Sequence, residues 1–194
     1  MAMYGRGMIA GLVAALLTGA PAAHSGSFSD IKPVDPQPAA EATQPGLAVL
    51  YVFEKVRHVD AIENASGGSP GAPLPKLDYE SGAGKVLTSN LSDRVGAKIS
   101  GFINFPEPGR WLMATQSNDG VRVKLAGQVI IEDPDVHADQ FSENAELNIT
   151  EAGWYELAVT YFERENTSTL QLYWQRPGAS EFEIVPAEAF AHTK

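Results

Sequence analysis

Asp133-Pro134-Asp135-Val136-His137-Ala138-Asp139 is the densest run of potential ligands in the chain. Alternate positions of an extended segment share one side, so Asp133, Asp135, His137 and Asp139 could face one ligand together. A His among carboxylates suits a transition metal, and the same run suits a solvated surface loop. It does not suit an EF-hand, because Ala138 stands where a glycine is needed and Asn144 where the bidentate glutamate should be. Pro134 keeps the run out of a central strand. Asn118-Asp119-Gly120 is the second feature, and by residue type alone it is a strong turn former between strands. Paired carboxylates, Asp133 with Asp135 or Asp119 with Glu163, could in principle hydrolyse a glycosidic bond. The chain has no Gly-Xaa-Ser-Xaa-Gly elbow, no His-Glu-Xaa-Xaa-His, no phosphate-binding glycine loop and no dinucleotide fingerprint. Catalysis is therefore not expected.

Charge narrows the partners. With 14 basic against 24 acidic residues the net charge is −10, and no Lys/Arg cluster is available to neutralise phosphates. Nucleic acid is excluded as an expected partner. The acidity serves solubility, or supplies carboxylates for a cation such as calcium. There is no cysteine, hence no disulfide framework, no thiolate zinc site and no cysteine nucleophile.

The elements that would position these residues are strands. Leu47, Val49, Tyr51 and Phe53 alternate, as do Val95, Ala97, Ile99, Gly101, Ile103 and Phe105. Further segments are Trp111 to Gln116, Val121 to Leu125, Val129 to Ile131, Leu147 with Ile149, Tyr155 to Tyr161, and Leu170 to Trp174. Period-two patterning with turns about every ten residues, and no amphipathic helix of comparable strength, predicts an all-β fold. One sheet could not bury so many apolar faces, so the expectation is a two-layer antiparallel β-sandwich over residues 46–194. Glu63 to Pro75, rich in Gly, Ser and Pro, is expected to be a loop. Ahead of the domain, Arg6, the apolar Met8 to Gly19 and the small residues Ala20-Pro21-Ala22 have the layout of a secretory signal over residues 1–23. That apolar run is shorter than the ~20 residues a spanning helix needs, so no stable membrane span is expected after cleavage. Residues 24–45, with four prolines, are expected to form a disordered Pro/Ala-rich linker. Secretion or a periplasmic location follows.

The order of these motifs resembles one family. Gly109 and Trp111, Ser117-Asn118-Asp119-Gly120-Val121-Arg122-Val123, Ala126-Gly127, Ile131-Glu132-Asp133, His137, Gly153-Trp154-Tyr155, Tyr161-Phe162-Glu163 and Leu170-Gln171-Leu172-Tyr173-Trp174 follow the pattern of the PA-fourteen (PA14) domain. That is the β-sandwich module named after anthrax protective antigen, found also in flocculins, epithelial adhesins and bacterial glycosidases. The resemblance runs from about Gly46 to His192. It implies a non-catalytic, carbohydrate-binding module, in which an adjacent acidic pair joined by a cis peptide holds calcium and the calcium holds sugar hydroxyls. In this chain the pair falls on Asn118 and Asp119, and Glu163 falls where a third ligand is supplied. The first acid has become an amide, which removes one negative charge from the site. Asp133, Asp135 and His137 are expected beside it as ligand-binding residues, and Tyr79 and Phe141 are the candidate rings for stacking on a sugar. The partner is then a glycan or a cell-envelope component. The alternative is a structural or protein-interaction module with neither metal nor sugar.

Overall fold

The computed structural model describes residues 24–194. The expected secretory signal over residues 1–23 lies outside them. In chain order the strands are β1 (His24–Phe28), β2 (Thr43–Pro45), β3 (Ala48–Val52), β4 (Ser69–Pro70), β5 (Asp78–Gly82), β6 (Val95–Phe105), β7 (Gly109–Asn118), β8 (Val121–Leu125), β9 (Gln128–Asp133), β10 (Gln140–Phe141), β11 (Asn144–Ile149), β12 (Gly153–Glu163), β13 (Ser168–Gln175), β14 (Glu183–Ile184) and β15 (Phe190–Thr193). One sheet has the order β1-β11-β7-β13-β14, with β10 alongside β7 and β5 alongside β13. The other has the order β2-β15-β6-β12-β8-β9, with β3 on β6 and β4 on β3. The expected two-layer sandwich is what forms. Its pairings are antiparallel except β1 with β11, which is parallel.

Alternation decides which faces meet. Val121, Val123 and Leu125 are buried while Arg122 and Lys124 are only partly covered. Tyr155, Leu157, Val159 and Tyr161 do the same along β12, which pairs with β6 from Gly153↔Phe105 to Glu163↔Val95. Trp111 and Met113 of β7 and Leu170, Leu172 and Trp174 of β13 close the core from the other sheet. At the Phe105 end the sheets are joined by rings. Phe105 meets Trp111 at 5.0 Å and 74° and Tyr155 at 5.4 Å and 85°, and Trp111 lies 4.9 Å from Trp174. Edge-to-face pairs of this kind add about 0.5–1.5 kcal/mol each beyond the area they bury.

Two expectations need correction. Residues 24–45 do not form a disordered linker: they strap one sheet to the other. β1 lies against β11, Ile31 sits 1% exposed in the core, and β2 pairs with β15. Between them Gln37 imitates a strand residue, accepting from the Trp154 N–H at 2.7 Å and donating to the Trp154 carbonyl at 3.1 Å. The prolines hold the strap extended, and an extended strap needs only Phe28, Ile31 and a few backbone partners to dock. The second correction concerns the Gly/Ser/Pro-rich stretch, which contributes β4 and follows a short helix, α1 (Val59–Glu63), that makes a satellite core. Val59 and Ile62 of α1 pack with Val52, Val56 and Phe162. Gly96 admits the helix, since a β-carbon there would sit 2.2 Å from the Ile62 Cδ1.

Candidate functional site

β7 belongs to one sheet and β8 to the other, so Asp119 and Gly120 carry the chain across the open end of the sandwich. Residues 164–167 make a second crossing beside it, from β12 to β13. The two arches are zipped together. Asp119 N–H donates to the Phe162 carbonyl at 3.1 Å, and Phe162 N–H returns to the Gly120 carbonyl at 3.0 Å. The Tyr161 hydroxyl donates to the Asn118 carbonyl at 2.6 Å, and Asn118 Nδ2 donates to Thr167 Oγ1 at 2.9 Å. The peptide between Asn118 and Asp119 is cis. Gly120 is demanded by the crowding, because a β-carbon would lie 2.6 Å from the Pro134 carbonyl oxygen and 2.7 Å from the Phe162 ring.

A cavity of about 310 Å³ opens over this corner, lined by Asn118, Asp119, His137, Ala138, Arg164 and Asn166, among others. A wider and more open groove, about 580 Å³, continues from Glu165 and Asn166 to Asn90–Arg94. Asp119 is 3% exposed and Glu163 0%. Burial pushes the Asp119 carboxyl up, against backbone amides of Arg164 (2.8 Å to Oδ2) and His137. Burial and then the carboxylates of Asp93 and Asp119 push Glu163 up to about 7. Its Oε2 accepts from the Arg94 N–H at 3.1 Å, and its Oε1 is buried without a hydrogen-bond partner. Acids held this way are short of positive charge.

The corner therefore unites Asn118, Asp119 and the His137 segment, with Glu163 beneath them. Glu163 is not in the connecting loop; it is the last residue of β12 and has no surface of its own. Asp133 and Asp135 do not reach the cavity. Asp133 is held by Gln140 Nε2 at 3.0 Å and lies 3.3 Å from His137 Nε2, and Asp135 is exposed where the chain bridges to His58. The run fails as one ligand set because its backbone turns inward at Pro134, whose carbonyl caps α1 through the Val59 N–H at 3.0 Å. Tyr79 does not stand free for stacking but packs half-buried against the core, whereas Phe141 stands 61% exposed. Among the described residues no three His, Cys, Asp or Glu side chains group to hold a metal. The His137 ring turns Nδ1 to the Ala138 carbonyl and Nε2 to Asp133, which leaves oxygens such as Asn118 Oδ1 and the Asp119 carboxylate as donors, and that chemistry fits a hard cation rather than a transition metal. The polar stretch Arg164-Glu165-Asn166-Thr167 between two strands could have signalled the second arch. Nothing local could have signalled Asp93 and Arg94, which are brought in from 69 residues away from Glu163.

The PA14 domain family model matches residues 84–188. No curated protein matches in sequence. Solved structures share the fold at low identity. The PA14 domain of the MpAFP antifreeze protein superposes with a TM-score of 0.65 at 13% identity, covering 84% of this chain and 97% of that one. The PA14 sugar-binding domain of an RTX adhesin gives 0.61 at 17%, covering 76% and 98%. The A domain of epithelial adhesin 9 from Candida glabrata, in complex with Galb1-4GlcNAc, gives 0.62 at 9%, covering 81% and 94%. The chain spans about half (48%) of an anti-sigma factor domain-containing protein from Clostridium clariflavum that it also matches, with a TM-score of 0.63, 15% identity and 78% of this chain covered.

Proposed function

The chain belongs to the PA14 domain family, and we propose that it is an exported, non-catalytic module that binds a glycan through calcium held at the Asn118–Asp119 corner. The observation that carries this reading is the pair of zipped arches, which set the polar side chains of Asn118, Asp119 and Asn166 around one cavity at the open end of the sandwich. Asn118 Oδ1 and Asp119 would contribute cation ligands, with Glu163 supplying negative charge from below. Calcium would supply a Lewis-acidic centre for sugar hydroxyls. The sugar-binding domain of the RTX adhesin and the adhesin 9 complex support a glycan as the ligand class. Hydrolysis is disfavoured, because a substrate cannot touch Glu163, whose side chain is wholly buried. The net charge of −10 disfavours nucleic acid. The place of action would be the cell exterior or the periplasm, and among the described residues no helix is long and apolar enough to cross a membrane.

The second reading is a structural or docking module of the cell envelope. It is favoured by the self-sufficiency of the corner, where the Asn118 amide is spent on Thr167 and Asp119 on the Arg164 N–H. A glycan array run with millimolar calcium and with chelator decides between them. Calcium-dependent retention of a glycan, lost in Asp119→Ala, is the expected result. Indifference to calcium, together with an envelope protein captured equally well by wild type and Asp119→Ala, would establish the second reading.

A further inference from the structure

The outer face of the β1-β11-β7-β13-β14 sheet carries a feature separate from the corner. Strand register aligns four residues in one row across four neighbouring strands: Phe141 opposite Gln116, Gln116 opposite Gln171, and Gln171 opposite Asp78. At about 4.8 Å per strand step the row is roughly 14 Å long. These side chains stand on the solvent face, since their neighbours Ser117, Leu170 and Leu172 point into the core. Phe141 is 61% exposed and its ring centre lies 5.5 Å from that of Tyr173, the planes inclined at 56°. The two rings lie against each other beside the row. The rest is a chain of oriented polar groups. The Tyr173 hydroxyl donates to Gln171 Oε1 at 3.0 Å, Gln171 Nε2 to Asp78 Oδ1 at 2.7 Å, and Lys76 Nζ to Asp78 Oδ2 at 2.6 Å. The Gln116 amide makes no hydrogen bond among the described residues and keeps both donors and its acceptor free.

From this geometry we propose that the sheet face is a second, metal-independent binding platform for a neutral polysaccharide chain. The chemistry of the row selects that class. The exposed Phe141 ring, braced by Tyr173, offers a flat apolar surface to the C–H face of a pyranose, while a line of carboxamides and a carboxylate meets its equatorial hydroxyls with both donors and acceptors. Asp78 stands in the row with Glu80 beside it, and Lys76 is engaged by Asp78, so the row itself adds no attraction for a uronate polymer. A lone apolar partner is poorly served by a row in which three of four side chains are polar. The row runs across the strands, perpendicular to the long axis of the sandwich, so an extended chain can enter and leave at both edges.

Affinity electrophoresis of the folded protein through gels holding xyloglucan, mixed-linkage β-glucan, galactomannan or starch tests this, with polygalacturonate as the charged control. Retardation by at least one neutral polymer is expected, weakened about tenfold or more by Phe141→Ala and by Gln171→Ala. Chelator and Asp119→Ala should leave it unchanged, which separates this platform from the calcium corner. Because Phe141 is largely exposed, its removal should leave the melting temperature in place. Passage through every neutral gel without retardation overturns the proposal, as does retardation that survives Phe141→Ala or vanishes in Asp119→Ala. Dissociation of a dimer by Phe141→Ala, with no change in retardation, would assign the face to a second copy of the chain instead.

Discussion

Glu163 ends β12 with no exposed surface, and burial with the charges of Asp93 and Asp119 holds its pKa at about 7 against an ordinary 4.5. Between pH 4.5 and 7 the folded chain therefore keeps a proton there that the unfolded chain has already released. The stabilisation is complete below the lower value and is lost as pH climbs through the upper one, a loss of up to about 3 kcal/mol. Asp119 is raised in the same sense. In chelator, thermal melts should show stability falling from about pH 5 to pH 8, and Glu163→Gln should flatten that fall and be the more stable protein at pH 8. Calcium works the other way, because a cation favours the ionised acids. Wild type at pH 8 should gain several degrees in millimolar calcium, and Asp119→Ala should gain none. A calcium shift that persists in Asp119→Ala would place the cation elsewhere. At this scale the sequence was legible in part. The turn at Asn118-Asp119-Gly120 is legible in its residue types, and the resemblance alone points to Asn118 and Asp119 as the candidate pair. Asp133 and Asp135 lie outside the cavity at the corner, since alternation along an extended run says which side chains share a side, not which side faces the cavity.

Elements were far more legible than residues. The inward faces of β6, β8, β12 and β13 follow from alternation, because a one-residue slip would expose every apolar side chain at once. The strap from β1 to β2 was not legible, since its anchors Phe28 and Ile31 are too few to show a period and its other ties are backbone bonds and one amide. That amide makes a specific prediction. Gln37→Ala leaves the Trp154 N–H without its partner, while the Trp154 carbonyl keeps the Val34 N–H at 2.9 Å, at a cost of about 1–2 kcal/mol. Denaturant unfolding should register it, and limited proteolysis should then cut first between residues 29 and 40. Loss of the strap without any change in melting would show that it merely lies on the sheets. The arches respond to crowding in the same way. Gly120→Ala must push the added methyl against the Pro134 carbonyl and the Phe162 ring, so it should cost more than Gly127→Ala, where nothing lies within 4 Å. Gly127 nevertheless has φ +79°, so its substitution is strained by backbone conformation alone. A ranking with Gly127 the more damaging would contradict the tight approach of the arches.

On the scale of the whole molecule the sandwich is polar from end to end. Phe105, Trp111, Tyr155 and Trp174 plug the end where Gly153 meets Phe105, and the acidic corner occupies the end where Glu163 meets Val95. Ten residue steps of β12 separate them, about 33 Å at strand rise. The aromatic plug and the proposed binding corner thus lie at different ends of one continuous core, joined by the inner faces of both sheets. Perturbations that far apart, with no shared partner, should add. Trp111→Ala empties a fully buried ring from the plug and should cost about 3–5 kcal/mol. It should nonetheless leave the calcium-induced rise in melting temperature as large as in wild type, provided the domain still folds. Trp111→Phe keeps most of the volume and serves as the milder variant if Trp111→Ala does not fold. The double variant with Asp119→Ala should then show the stability loss of the first and the calcium indifference of the second. Coupling beyond about 0.5 kcal/mol between the two ends would mean that the corner is shaped by the plug, and that the division of labour along β12 does not hold.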